Sequence, residues 1–318
     1  MPCRDEMSKR ISLAFTVTER KVNRTLREKY IDVRDQGARN NNAEMRNIFT
    51  VFGGFKQMSE NNKRIAIVTG ASSGIGKEFF LSLKDREKEL DEIWVVARSE
   101  DKLQALQAEI PLPLRVFALD LSKTESTDVL KAAFDEEKPD IRYLICASGF
   151  GRFCGVEEDD PAILQNMIDL NCRSIVGVTA VALPYLSQGS AVLLIASVAA
   201  FQPIPYLATY GASKAFVLSY GRALNRELKK SRGARCLCVC PFWTKTAFFG
   251  RATTEKTVVK KFTAMYLPSQ IVARAWKDLK HKRRDVSIFG AKARGQAWLV
   301  KTLPHKLVMS VWQKQQGL

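Results

Sequence analysis

From Lys63 onward the chain alternates short apolar runs with longer stretches of helical periodicity. The apolar runs are Ile65 to Val68, Ile93 to Ala97, Leu114 to Leu119, Tyr143 to Cys146, Ala191 to Ile195, Cys236 to Cys240 and Asp285 to Phe289. They are short and rich in β-branched residues, as suits strands buried on both faces. Between them the spacing predicts helices over 77–83, 100–109, 126–134, 161–184, 210–230 and 269–280. Strands alternating with helices through short connections call for a parallel sheet covered on both faces, a doubly wound α/β architecture. One domain over 58–290 accounts for the whole series, and such a sheet binds ligands at the carboxyl ends of its strands.

The ends break the pattern. Residues 1–57 are polar, with Asn40-Asn41-Asn42 and a weak helical pattern around Val22, Leu26, Tyr30 and Val33 that stops at Gly37. They are expected to be an extension, poorly ordered or helical, and a chain starting at Met58 is expected to fold by itself. At the other end, over 291–318, Trp298, Leu299, Leu303, Leu307, Val308, Val311 and Trp312 interleave with Lys292, Arg294, Lys301, Lys306 and Lys314. That basic amphipathic stretch suits a substrate lid packed on the domain, a peripheral membrane contact through Trp298 and Trp312, or a protein partner.

Charge follows the same division. Residues 1–57 carry 12 Lys and Arg against seven acidic residues, 58–250 balance at 23 each, and 251–318 carry 15 against three. The net charge of +17 is therefore peripheral to the central domain. A basic tail alone does not choose between nucleic acid, anionic lipid and an acidic ligand. With no nucleic-acid motif and little aromatic platform, no nucleic-acid partner is expected. No run of about 18 uncharged apolar residues predicts a membrane span, and the first ten residues lack the apolar core of a secretory signal. The seven cysteines do not pair as C-x-x-C, and Cys236, Cys238 and Cys240 share one strand face with no histidine nearby. Buried thiols in a reducing cytoplasm are expected, and no metal site.

Chemistry concentrates at the strand ends. The segment TGASSGIG at 69–76 follows the first strand and opens into a helix. Gly70 suits the tight turn, Gly74 allows backbone to approach a pyrophosphate, Gly76 lets helix pack on strand, and the helix N-terminus favours an anion. Tyr210 and Lys214 stand four apart and share a helix face, so an ammonium there is expected to lower the phenol pKa and favour proton transfer. Ser197, after the fifth strand, can hydrogen-bond the same substrate oxygen.

These motifs resemble those of the short-chain dehydrogenase/reductase family over about residues 62–250, with four in the expected order: TGASSGIG, Asn171 in IDLNCRS, Ser197 in IASVA and YGASK at 210–214. The resemblance implies a Rossmann-type domain with N- and C-terminal extensions. Tyr210 is implied to be the general acid, with Ser197 orienting the carbonyl and Lys214 holding the nicotinamide ribose. Asn171 is implied to support a water-mediated proton relay. Cofactor contacts are implied at Gly70, Ser72, Ser73, Gly74, Ile75, Gly76, Asp120, Gly149, Tyr210, Lys214 and Thr246. Two departures stand out: Cys146-Ala147-Ser148-Gly149 replaces the usual N-N-A-G, and Pro241-Phe242 replaces the usual P-G.

The second strand ends Val96-Ala97-Arg98. Ala97 stands where an NAD-selective carboxylate would, and Arg98 can pair with a 2′-phosphate, so NADP(H) is the expected cofactor. The expected activity is carbonyl reduction, or the reverse alcohol oxidation, on an apolar small molecule. The tail from Asp285 through Pro304 is similar to 3-oxoacyl and hydroxysteroid reductases of this family, some membrane-associated, and a homodimer is among the assemblies considered. The alternative is a dinucleotide-binding regulatory or scaffolding protein on the same fold, against which the full set Asn171, Ser197, Tyr210 and Lys214 argues.

Overall fold

Seven strands form a single, wholly parallel sheet in the order β3-β2-β1-β4-β5-β6-β7. They run β1 Arg64–Thr69, β2 Glu92–Ala97, β3 Leu114–Ala118, β4 Asp140–Cys146, β5 Leu186–Ile195, β6 Arg235–Val239 and β7 Val286–Ser287. This computed structural model describes residues 62–262 and 264–318. The expectations for 1–57 therefore lie outside the described residues. The strand order reverses direction between β1 and β4, so their carboxyl ends part there and leave the crevice in which open α/β sheets bind ligands.

Two apolar cores lie on opposite faces of the sheet, because alternate residues of each strand point to opposite sides. On one face Ile65, Ile67, Trp94, Leu144, Val192 and Leu194 pack with Phe134, Ile175 and Val217; on the other Ala66, Val68, Ile93, Val95 and Leu193 pack with Phe79, Phe80, Ile271 and Trp276. Cys236, Cys238 and Cys240 do share one face, and all three are buried in the first core. Burial pushes the Cys236 and Cys240 thiols well above their ordinary range, which makes them inert packing groups.

Helices α1 Gly74–Ser82, α2 Glu100–Gln104, α3 Glu125–Glu137, α4 Pro161–Ile168, α5 Ser174–Ala182, α6 Ala208–Ser231, α7 Phe248–Ala252, α8 Pro268–Leu279, α9 Ala291–Thr302 and α10 His305–Gln316 complete the fold. The single helix expected over 161–184 is interrupted by a π-helical turn, Asp169–Arg173, that joins α4 to α5. Such turns add a residue to the helix and mark functional positions, and Asn171 lies at its centre. The whole stretch Pro161–Tyr185 is long and apolar enough to cross a membrane, although no spanning helix was expected. Within it Met167, Ile175, Val178 and Ala182 are buried, while Arg173 pairs with Asp169 at 2.9 Å and reaches the Thr124 hydroxyl. These contacts tie it to the sheet.

The edge strand β7 is shorter than the expected 285–289. Beyond Ser287 the chain leaves the ladder, Phe289 packs edge-on against Tyr266, and Gly290 turns at φ +89° into α9. Ser287, still in the ladder, is also held by buried Asp278 of α8, which accepts its hydroxyl at 2.9 Å and pairs with Arg274 and Arg284.

Candidate active site

The glycine-rich turn folds as its residues require. Gly70 takes φ +68° and Gly74 φ +58°, both in the region that disfavours side chains. A Cβ on Gly76 would lie 2.2 Å from the Gly70 carbonyl, so the turn closes only without one. Thr69 Oγ1 accepts from the amides of Ala147 and Ser148 at 3.1 and 3.3 Å, tying the end of β1 to the exit of β4. Cys146, the last residue of β4, points the other way and packs in the apolar core.

The turn forms one wall of a cavity of about 290 Å³. Gly70, Ser72, Ser73, Gly74, Ile75, Gly76, Ala97, Arg98, Asp120, Gly149, Ser197, Tyr210, Lys214 and Thr246 all line it. Among the expected site residues only Asn171 stands behind the wall, fully buried. Asp120 accepts from Ser122 N and Oγ at 3.0 and 2.8 Å. Burial works against its charge, but these bonds and the nearby Arg98 and Lys123 hold the carboxyl below its ordinary range.

At the other end of the cavity the proton-transfer groups converge. Ser197 caps a short 3₁₀ turn, its Oγ accepting from Ala199 N at 3.1 Å and donating to Pro241 O at 3.5 Å, and it lines the cavity beside Tyr210. Lys214, one helical turn after Tyr210 on α6, donates to the Ile195 carbonyl at 2.8 Å. Asn171 fastens the floor: its Oδ1 accepts from Phe150 N at 3.0 Å, while Nδ2 donates to Phe150 O at 2.9 Å and Ser213 Oγ at 3.0 Å. A Cβ on Gly149 would meet both Asn171 Oδ1 and Lys214 Nζ. Gly151, which the motif reading passed over, has an equal role, since a Cβ there would lie 2.9 Å from the Tyr210 ring.

The third wall is apolar and comes from the segment after β6 and from the C-terminus. Phe242, Trp243, Phe248 and Phe249 line it with Trp312 of α10. Trp312 stacks on Trp243 at 6.5 Å and donates Nε1–H to the Pro205 carbonyl at 3.0 Å. Gln316 grips the facing backbone, accepting from Lys260 N and Lys261 N and donating to Lys261 O. Trp298, by contrast, is 68% exposed where Trp312 is 8% exposed. The expected pairing of the two tryptophans at a membrane surface fails for Trp312, whose ring the domain already covers.

The short chain dehydrogenase family matches residues 64–257. The chain belongs to that family. It shares 36% identity over 173 residues with a very-long-chain 3-oxoacyl-CoA reductase of Neurospora crassa, covering 52% of this chain and 51% of the relative. A relative of the same name from Bos taurus is 31% identical over 210 residues, covering 62% of this chain and 65% of its own length. The chain thus spans about half to two thirds of these curated relatives. A short-chain dehydrogenase of Sphingobium yanoikuyae in complex with NADPH superposes with a TM-score of 0.64 at 25% identity, covering 78% of this chain and 95% of that one. A Burkholderia phymatum member in complex with NAD gives 0.63 at 16% identity, over 75% and 92% of the two chains. The parallel sheet and the glycine-rich turn after β1 are those of a short chain dehydrogenase.

In this family member the buried pair titrates in a way its spacing did not foretell. Burial pushes the Tyr210 phenol up to about 12, only partly offset by Ser197, and pulls the Lys214 ammonium down to about 8. A lowered phenol was expected. Desolvation dominates because Lys214 points its donor at Ile195 O, with its nitrogen 5.7 Å from the Tyr210 ring centre. Tyr210 therefore holds its proton throughout the neutral range, and Lys214 loses its charge as pH rises through about 8. Any turnover that uses this pair is expected to be level below that pH and to fall above it, with Lys214→Arg moving the fall upward. A rate that is flat from pH 7 to 9.5 would contradict this. Lys214's own effect on stability runs the other way: its folded pKa lies below 10.5, so its cost is full below about 8 and is relieved as pH rises.

Proposed function

We propose that this short chain dehydrogenase reduces a carbonyl on an apolar substrate with NADPH, Tyr210 giving the proton to the substrate oxygen. The observation that carries the reading is the placing of Tyr210, Ser197 and Lys214 in the same cavity as the glycine turn and Arg98. When bound, the coenzyme supplies the reducing equivalent, and the protein supplies position and protonation. Ser197, within bonding reach of the phenol, orients the substrate oxygen; Lys214 keeps positive charge beside it; Asn171 holds the Phe150 backbone and Ser213 in register beneath. Asn171 spends both side-chain amide donors on these bonds, which leaves acceptor atoms as its means of supporting a water relay toward Lys214.

The turn fits a dinucleotide. Gly70, Gly74 and Gly76 open its backbone to a pyrophosphate, and Ala97 leaves no carboxylate to repel a 2′-phosphate near Arg98. Phe242, Trp243, Phe248, Phe249 and Trp312 favour an apolar chain, and the relatives named for 3-oxoacyl-CoA reduction make 3-oxoacyl thioesters the first substrates to try. Peripheral membrane contact falls to Trp298, Leu299, Leu307 and Val311, which are exposed on α9 and α10 beside their lysines.

Coenzyme choice provides the test. NADPH is expected to bind more tightly than NADH, and Arg98→Ala to weaken NADPH by on the order of tenfold or more while leaving NADH alone, as for loss of a bond to a charged phosphate. Equal affinity of the wild type for the two coenzymes would overturn the NADPH assignment.

A further inference from the structure

The segment that follows β6 does more than wall the substrate side. It passes directly over the glycine turn, so closely that a Cβ on Gly74 would lie 3.3 Å from Thr246. Five residues on, Arg251 of α7 lines the same cavity as Ser72, Ser73, Arg98 and Asp120. Its guanidinium stands over the Phe150 ring, 5.2 Å from the centre. Phe150 is itself clamped by both ends of the Asn171 amide, and Arg152 Nη1 donates to the Arg251 carbonyl at 3.2 Å. Arg251 is thus placed from beneath and from the side.

No carboxylate among the described residues pairs with it directly. Among the described residues neither Arg98 nor Arg251 forms an ion pair, whereas Arg152 pairs with Asp159 at 3.3 Å. Asp120 is within electrostatic reach of both, but its carboxylate is engaged by Ser122. Burial, then Arg98 and Arg152, lower the proton affinity of Arg251, with Asp120 alone opposing. Two guanidiniums, one just after β2 and one on the segment that passes over the glycine turn, line the same cavity and lie within electrostatic reach of one another. Guanidiniums so placed repel one another until an anion lies between them, and phosphate matches their fork geometry.

We propose that Arg251 is a second phosphate-binding residue beside Arg98, closing the segment after β6 onto the coenzyme. The proposal rests on the coenzyme reading above and adds a consequence: the segment that walls the substrate pocket is held down by the coenzyme, so coenzyme binding prepares the apolar site. Either the 2′-phosphate or the diphosphate can serve as the anion, and they are separated by comparing coenzymes.

The test measures NADPH and NADH dissociation constants by fluorescence titration for wild type, Arg251→Ala, Arg251→Lys and Arg98→Ala. It also follows trypsin cleavage at Lys245, Lys256, Lys260 and Lys261 with and without NADPH. Arg251→Ala is expected to weaken NADPH about tenfold and to abolish the protection that NADPH gives those four sites, with Arg251→Lys restoring part of both. Weakening of NADPH alone assigns Arg251 to the 2′-phosphate, and equal weakening of both coenzymes assigns it to the diphosphate. Both constants within twofold of wild type, with protection intact, would overturn the proposal. A wild type that does not prefer NADPH would overturn the Arg98 assignment and leave Arg251 to be judged on the shared diphosphate.

Discussion

Replacing Tyr210 by Phe is expected to lower turnover by about 10²- to 10⁴-fold, the usual worth of a positioned proton donor, with little change in NADPH affinity. The substitution removes one oxygen and keeps the ring. The ring contacts that place it, Phe248 at 5.5 Å and the open Cα of Gly151, survive, so the fold and the apolar wall should be unaltered. The groups proposed to hold the coenzyme, the glycine turn, Arg98 and Lys214, form no hydrogen bond to the phenol oxygen among the described residues. A kcat within threefold of wild type in the folded variant would remove Tyr210 from the proton-transfer role. A large rise in the NADPH dissociation constant would instead make it a binding residue.

The second large effect is expected at Trp312. Its truncation to Ala removes an indole that is stacked on Trp243, bonded to Pro205 O and exposed to the cavity on one side. The Michaelis constant for long apolar substrates is expected to rise by about tenfold or more, with NADPH affinity nearly unchanged, because Trp312 packs on Trp243 of the apolar wall and not on the glycine turn. Loss of so large a buried side chain should also cost about 3 kcal/mol of stability. Trp298→Ala is the control that separates the two roles read into this tail. It should leave the Michaelis constant and the melting temperature as they were and should weaken flotation on anionic liposomes. Equal Michaelis constants for wild type and Trp312→Ala on every substrate tried would sink the lid. Flotation unaffected by Trp298→Ala would sink the surface contact.

The alternation of β-branched runs with helical spacing conveyed the sheet because its inner strands are buried on both faces and so read as continuous apolar sequence. Where burial lapses, so does the signal. Strand β5 begins at Leu186, five residues before its apolar run, because Ser187, Gln188, Gly189 and Ser190 are polar; Ser187 and Ser190 satisfy one another and Asp140. The π turn around Asn171 was not legible, since it shifts the helix phase just before α5, where nearly every position is apolar or small and no polar face marks the shift. The motif residues announced the site because phosphate approach and proton transfer each demand particular residue types. Gly151, Arg251 and Gln316 were missed for a different reason: each acts on a segment distant in sequence, and nothing local requires it. The lowered phenol failed on desolvation, a property of the closed cavity that a spacing of four residues cannot carry. In the tail, amphipathic spacing identified the helices but could not tell which tryptophan the domain had already covered.

The central claim is carbonyl reduction at the Tyr210 cavity, and the wild-type arm of the Tyr210 comparison tests it most directly. Purified protein is mixed with NADPH and a panel of ketones and 3-oxoacyl thioesters, and NADPH absorbance is followed at neutral pH. Loss of absorbance that requires both protein and an apolar carbonyl substrate, and that Tyr210→Phe abolishes, is the predicted result. NADPH that binds but is not consumed with any member of the panel, or consumption that persists undiminished in Tyr210→Phe, would contradict it.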